Sequence, residues 1–92
     1  MTNWGILGTG NIAKTFALAI KETNESALLA VGSRSKDSAD LFASNYNCIG
    51  LDDYQKLLDN KDINAVYIST PHTSHFEFSY KALMNGKSVL CE

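Results

Sequence analysis

Short runs of apolar residues recur along the chain and alternate with segments of helical spacing. The clearest runs are residues 4–7, 27–31, 65–68 and 88–91. Strands without polar alternation are buried on both faces, which is typical of parallel sheets covered by helices. We therefore interpret these runs as strands of one parallel sheet, with the last run as a buried strand. Residues 48–50 give a weaker signal for a short strand at the far edge of the sheet.

The segments between the strands carry apolar residues at helical spacing, so that each set lines one helix face. We expect these faces to pack against the sheet. The four sets are Ile12, Phe16 and Ile20 with Ala13 and Ala17; Ala39, Phe42, Ala43 and Tyr46; Tyr54, Leu57 and Leu58; and Phe76, Tyr80 and Leu83.

Start and stop signals accompany the predicted helices. Ser74 with Glu77 fits a capping box, and Asp52 with Gln55 fits a looser one. Gly86 follows the last helical set, where glycine adopts a left-handed conformation at low cost and ends a helix. The sequence thus predicts where three of the helix termini lie.

The alternation of strands and helices predicts an α/β fold, a doubly wound parallel sheet of the Rossmann type with right-handed crossovers. Residues 1–92 form one domain without an internal repeat or linker. The predicted strands leave a six-stranded sheet incomplete at its C-terminal end. An apolar strand at an open sheet edge is a liability, so we expect the isolated chain to be marginally stable or prone to aggregation.

Composition excludes several classes of protein. The chain is 45% hydrophobic and 20% charged, which is typical of a globular protein, and its net charge of -2 argues against nucleic acid as the main partner. No apolar run is long enough to span a membrane, and the N-terminus does not resemble a signal peptide. We expect Cys48 and Cys91 to be reduced, partly buried side chains in a cytoplasmic protein.

A glycine-rich loop follows the first strand and opens the first helix. It fits the pattern G-x-G-x-x-G/A with the residues Gly8-Thr9-Gly10-Asn11-Ile12-Ala13. Gly8 permits a tight turn, Gly10 lets a pyrophosphate approach the backbone, and Ala13 allows close packing of helix and strand. The free N–H groups of the helix N-terminus favour phosphates. The alternative is a tight turn without a ligand, but the flanking elements favour dinucleotide binding.

The end of the second strand bears on which dinucleotide binds. NAD-binding chains usually carry an acid there for the ribose 2′-hydroxyl, whereas this chain has Ser33, Arg34 and Ser35, and Asp37 comes too late. Arg34 and the neighbouring hydroxyls suit a 2′-phosphate, and a guanidinium can also stack on adenine. We therefore favour NADP over NAD. In the alternative, Arg34 is a solvated residue and Ser35 is the N-cap of the next helix.

A third candidate segment leaves the carboxyl end of the strand at residues 65–68. In an open α/β sheet this edge places Ser69, Thr70, Pro71 and His72 beside the glycine loop, where they would wall the cofactor near its ribose and nicotinamide. His72 and His75 could also be a metal pair or acid–base groups. Their spacing is poor evidence for a metal, and no Cys or carboxylate cluster supports one. We predict no metal site, assign neither histidine a catalytic role, and interpret His75 as a capping or packing residue near the cofactor.

At this point a resemblance is evident. The chain resembles the N-terminal domain of the glucose-fructose oxidoreductase, inositol dehydrogenase and rhizopine-catabolism (Gfo/Idh/MocA) family. The matching stretches are "WGILGTGNIAKTFA", "AVGSRSKDSADLFA", "LDDYQKLLDNKDINAVYISTPHTSHFE" and "KALMNGKSVLCE". The pairing of "DINAVYISTPHTSH" with "ALMNGKSVLCE" is specific to the family. The "SRS" after the second strand is most similar to the dihydrodiol dehydrogenase type, which is often NADP-dependent.

The resemblance implies that Glu92 borders the nicotinamide ribose. It also implies that a lysine for proton transfer or substrate positioning comes after Glu92, and that a second domain carries the substrate pocket and usually the oligomer interface. The chain would then contain no catalytic residue and be inactive alone, as the cofactor-binding fragment of a homo-oligomeric enzyme.

Two functions follow from these residues and the resemblance. The first is an NAD(P)-dependent oxidoreductase that transfers hydride between nicotinamide and a hydroxyl-bearing carbon of a sugar, polyol or diol. The second is a non-catalytic NAD(P)-binding module or redox-sensing subunit.

Overall fold

The computed structural model describes residues 2–70 and 72–91, without the side chains of residues 72–76. Strands and helices alternate strictly along this part of the chain. The elements are β1 (Thr2–Leu7), α1 (Asn11–Lys21), β2 (Ser26–Gly32), α2 (Lys36–Tyr46), β3 (Ile49–Leu51), α3 (Tyr54–Leu58), β4 (Ala65–Ile68), α4 (His72–Met84) and β5 (Ser88–Cys91).

The strands form one parallel sheet in the order β3-β2-β1-β4-β5. β1 lies at the centre, where Trp4 pairs with Leu28 on one side and Ala65 on the other. The first three strands are therefore added towards one edge of the sheet, and β4 and β5 are added on the other side of β1. The carboxyl ends of β1 and β4 are neighbours at this switch point, which is where such sheets bind ligands. The short strand predicted at the far edge is confirmed as β3.

Two hydrophobic clusters cover opposite faces of the sheet because neighbouring strand residues point to opposite sides. Ile6 and Val31 face α1 and α2, whereas Leu7 and Ala30 face α3 and α4. On the first face the ring of Phe16 stacks on Tyr67, with 4.1 Å between the centroids. Both faces of the central strands are thus buried, as their uninterrupted apolar sequence predicts.

The inward faces of the first two helices are predicted correctly except at one position. Ala13, Ala17 and Ile20 of α1 are buried, but Ile12 is 45% exposed. The two alanines form the centre of the face that packs against the sheet, and Ile12 therefore lies to one side of it. In α2 the predicted residues Ala39, Phe42 and Ala43 are buried.

The predicted inward face of α4 is wrong. Phe78 and Ala82 are buried, whereas Tyr80 is 58% and Leu83 is 62% exposed. Phe78 points into the core, where its ring contacts that of Tyr54 edge-on, with 4.8 Å between the centroids. The side chain of Phe76 lies outside the described part of the structure. The helix is thus rotated relative to the prediction and turns apolar side chains outward.

Two predicted helix starts also need correction. Asp53, not Asp52, caps α3, since its Oδ1 accepts a hydrogen bond from the Gln55 N–H at 2.8 Å. α4 begins at His72, so Ser74 lies inside the first turn and is not the N-cap. The helix stop is confirmed, because Gly86, two residues after the end of α4, has a φ of +75° and its N–H donates to the Leu83 carbonyl at 3.0 Å.

The last strand is not buried, contrary to the prediction. β5 pairs with β4 and forms an edge of the sheet, so that among its residues only Val89 is partly buried. Cys91 is exposed rather than partly buried, and its sulfur lies 3.1 Å from the Ser79 hydroxyl. Cys48 is half-buried as predicted, and both thiols are free.

Candidate functional site

The glycine loop makes a tight turn between β1 and α1. The Gly8 N–H donates to the Gly32 carbonyl at 2.8 Å, and Gly8 has a φ of +109° that other residues rarely adopt. Ala13, the third small position of the motif, is fully buried against the sheet. Both residues therefore have the geometry that the motif predicts.

The N-terminus of α1 is open to a ligand. Gly10 is its N-cap, in an extended conformation, and no side chain in the described ranges accepts a hydrogen bond there. A Cβ on Gly10 would meet no described atom within 4 Å. Asn11 and Ile12 are exposed in the first turn, and Thr9 is half-buried before it. Backbone N–H groups, a helix dipole and open space are what a pyrophosphate needs.

The turn after β2 is built by two serines. The Ser33 hydroxyl is largely buried and accepts a hydrogen bond from the Ser35 N–H at 3.2 Å. Ser35 in turn caps α2, accepting from the Ser38 N–H at 3.3 Å. Arg34, the single arginine of the chain, is exposed between them. The alternative assignment of Ser35 as N-cap is therefore confirmed, and it leaves Arg34 available at the carboxyl edge of the sheet.

The segment after β4 lies directly against the glycine loop. The Ser69 N–H donates to the Leu7 carbonyl at 2.9 Å, and the Ser69 hydroxyl donates to the same oxygen at 3.0 Å. Thr70 is buried next to it. The structure thus brings Ser69 and Gly8 together, as the topology predicts.

Four candidate site residues cannot be placed by their side chains. Pro71 and Glu92 lie outside the described residues, as do the side chains of His72 and His75. Within the described part of the chain, no group of three or more metal-ligating side chains is present.

An open cavity of about 470 Å³ lies beside Arg34 and was not foreseen from the sequence. It is formed where the turn after β2 meets the start of α3 and the middle of α4. The available signal was the register of β3, since the carboxyl ends of neighbouring parallel strands share one edge. Its lining residues are Ser33, Arg34, Asp52, Asp53, Tyr54, Gln55, Lys56, Leu58, Phe78 and Lys81.

Fold and glycine loop together define the class: a Rossmann-type α/β domain with the loop geometry of a dinucleotide-binding site. Residues 2–92 match the family described as "Oxidoreductase family, NAD-binding Rossmann fold". The chain therefore belongs to the Gfo/Idh/MocA oxidoreductase family, as the sequence resemblance implies. In the described part of the chain, no helix is long and apolar enough to cross a membrane.

Named relatives are similar over the whole of this chain but extend beyond it. A trans-1,2-dihydrobenzene-1,2-diol dehydrogenase of Xenopus tropicalis is 31% identical over 99% of the chain and 28% of its own length. The NADP(+)-dependent scyllo-inositol 2-dehydrogenase IolU of Bacillus subtilis is 33% identical over 100% of the chain and 28% of its own length. The chain thus spans less than a third of these relatives.

A solved structure gives the same picture. KijD10, a 3-ketoreductase from Actinomadura kijaniata in complex with TDP-benzene and NADP, superposes with a TM-score of 0.93 at 30% sequence identity. The match covers 98% of this chain and 29% of KijD10. The predicted fold class is therefore confirmed.

Proposed function

We propose that this chain is the nucleotide-binding part of a longer oxidoreductase that uses NADP in preference to NAD. The observation that carries nucleotide binding is the open backbone at Gly10, which begins α1 without a capping side chain in the described structure. The preference for NADP rests on the exposed Arg34 in the turn after β2. The relatives named for a dihydrobenzenediol and for scyllo-inositol support a diol, polyol or sugar as the substrate class.

In this proposal each candidate segment holds one part of the cofactor. The N–H groups that open α1, reached past Gly10, bind the pyrophosphate, and Thr9, Asn11 and Ile12 border it. Arg34 pairs with the 2′-phosphate. The Ser33 hydroxyl accepts a hydrogen bond from the Ser35 N–H, which shapes this turn, and we keep Ser33 as a proposed neighbour of the same phosphate.

The remaining candidates surround the other half of the cofactor. Ser69 and Thr70, fixed against the glycine loop, form the wall beside the nicotinamide ribose. We keep Pro71, His72, His75 and Glu92 as proposed neighbours of the same half. A nicotinamide bound there would supply the hydride-transfer chemistry for a hydroxyl-bearing carbon of the substrate.

The rest of the enzyme is also part of the proposal. A substrate domain, absent from this chain, would carry the substrate pocket, and a lysine directly after Glu92 would move a proton or position the substrate. We further propose a cytoplasmic homo-oligomer. Reading the gene beyond Glu92 tests this: codons for Lys-Pro within a long open frame are expected, and a stop codon there would favour a non-catalytic binding module instead.

Cofactor binding is tested by titrating the chain with NADPH and NADH and recording nicotinamide fluorescence. Gly10→Val is expected to abolish binding of both nucleotides without unfolding the chain, because its Cβ points into open space and Gly10 has an ordinary φ of -75°. Arg34→Ala is expected to weaken the binding of NADPH roughly tenfold to a hundredfold and to leave the affinity for NADH nearly unchanged. Equal weakening of both nucleotides by Arg34→Ala would overturn the assignment of NADP. Unchanged binding by Gly10→Val would overturn the assignment of the pyrophosphate site.

A further inference from the structure

Basic side chains from three elements converge on the cavity beside β2. Arg34 reaches it from the turn after β2, Lys56 from α3 and Lys81 from α4. The turn after β2 lies beside the end of β3, which leads into α3, because the Ser33 N–H donates to the Leu51 carbonyl at 3.0 Å. The cavity thus places two further cations, Lys56 and Lys81, together with Arg34, the residue proposed above to bind the 2′-phosphate.

The two lysines differ in their ion-pair partners. Lys56 Nζ lies 3.4 Å from Asp52 Oδ1, and both residues line the cavity. Lys81 Nζ lies 3.1 Å from Glu77 Oε1, and Glu77 is not among the described lining residues. The Asp52–Lys56 pair therefore forms part of the cavity wall, whereas the partner of Lys81 lies outside the cavity.

We propose that Lys56 is a second cation for the 2′-phosphate of NADP, next to Arg34, and that Asp52 limits this preference. The proposal rests on the function proposed above and names the residues that set its cofactor selectivity. Without nucleotide, Lys56 pairs with Asp52, whose single negative charge compensates its own. When a 2′-phosphate carrying up to two negative charges enters, Lys56 turns from Asp52 to the phosphate.

The cost of this exchange is low. Both side chains of the pair are solvent-exposed, and exposed ion pairs at i, i+4 are weak. Lysine carries its charge on a flexible stem, so its ammonium can change partners without movement of α3. Asp52 meanwhile stays at the cavity and repels the phosphate, so its carboxylate works against NADP and not against NAD.

The test compares NADPH and NADH titrations of the full chain and its variants at low salt. Lys56→Gln is expected to weaken the binding of NADPH about threefold to tenfold, and Asp52→Asn is expected to strengthen it by a similar factor. The affinity for NADH is expected to be unchanged in both variants. Lys56→Arg, which keeps the charge, is expected to retain the preference. Higher salt should reduce these differences.

The chain offers matched controls in Lys61→Gln and Asp62→Asn. Both residues are exposed, lie before β4 at the opposite end of the strands, and do not line the cavity. The control variants remove the same charges as Lys56→Gln and Asp52→Asn, and they are expected to alter the affinity for NADPH by less than about twofold.

The outcomes separate the two proposals. If Arg34→Ala weakens NADPH but Lys56→Gln does not, the role of Lys56 is wrong and the proposed function stands. If Lys56→Gln weakens the binding of NADH as much as that of NADPH, Lys56 does not recognise the 2′-phosphate, and the inference is likewise overturned. If the folded wild-type chain binds neither nucleotide, the proposed function fails and the inference fails with it.

Discussion

The Ser69 hydroxyl lies 2.6 Å from the point that a Cβ on Gly8 would occupy. The hydroxyl is held there by its hydrogen bond to the Leu7 carbonyl. The glycine loop and the segment after β4 are therefore in direct contact, with no room for a side chain between them. Two walls of the candidate site are thus fixed relative to each other before any cofactor binds.

This contact makes Gly8→Ala destabilising. We expect a loss of about 1–3 kcal/mol in the free energy of unfolding, because the φ of +109° is strained for alanine and the new methyl meets Ser69. Denaturant titration followed by circular dichroism measures it. Gly10→Ala is the control and should cost less than about 1 kcal/mol. Adding Ser69→Ala to Gly8→Ala should recover part of the loss, and a fully stable Gly8→Ala would contradict the described turn.

Lys87 is a buried structural cation. Its Nζ donates to the carbonyls of Asn60 and Ile63 at 2.6 and 2.7 Å and so fastens the segment between α3 and β4. Lys87→Met is expected to lower the free energy of unfolding by about 1–3 kcal/mol, because both carbonyls lose this donor. Lys61→Met, at an exposed position, is the matched control. Equal stability of the two variants would show that the buried hydrogen bonds contribute nothing.

The same lysine predicts a pH dependence of stability. Burial lowers the pKa of Lys87 from 10.5, with Asp59 acting in the opposite direction. Between the lowered folded-state pKa and 10.5 the unfolded chain binds more protons, so the contribution of Lys87 to stability rises with pH in that window. Comparing wild type with Lys87→Met from about pH 8 upward isolates this contribution. A difference that falls with pH would contradict the sign.

The two thiols should differ in reactivity. Burial raises the pKa of Cys48 to about 11, with Lys21 opposing the rise, whereas Cys91 is exposed on the edge strand. Only the thiolate is nucleophilic. We expect iodoacetamide at about pH 8 to alkylate Cys91 first, as measured by peptide mass spectrometry, and both cysteines at similar rates in denaturant. Faster labelling of Cys48 in the folded chain would contradict its described burial.

The outward apolar residues of α4 should affect solubility more than stability. Leu83 is exposed, so Leu83→Gln is expected to change the free energy of unfolding by less than about 0.5 kcal/mol. Leu57→Ala, in the core, should cost about 2–5 kcal/mol. Light scattering of the isolated chain should show less self-association for Leu83→Gln than for wild type. Identical scattering would show that this helix face does not drive aggregation.

The strands and the glycine loop could be predicted because their signals are local. An apolar run without alternation favours a strand, and it locates β4 and β5 at the observed residues. Burial on both faces holds for β4 but not for β5, because β5 lies at the edge of the sheet. The turn at Gly8 requires a residue without a Cβ, which the sequence shows directly. The position of Ser69 beside it follows from strand order alone, because β1 and β4 are neighbours.

Other features depend on contacts that the sequence does not display. In α4 either Phe78 with Ala82 or the set of Phe76, Tyr80 and Leu83 could face the core, and the second set has more large apolar side chains. The packing of Phe78 on Tyr54 places the first set in the core. Asp52 and Asp53 are both acceptable caps, and only the backbone conformation separates them. The cavity beside Arg34 needs three elements to be placed together, so no single stretch of sequence predicts it.

The central position of β1 has a consequence for synthesis on the ribosome. β1 is made first, yet it needs β4, which is made after β2, α2, β3 and α3, to close its second side. At roughly 5–20 residues per second, synthesis from the end of β1 to β4 takes about 3–12 seconds, and that side stays unpaired for this time. The nascent chain therefore exposes the strand that later lies deepest in the sheet, and this interval is when chaperone binding would protect it most.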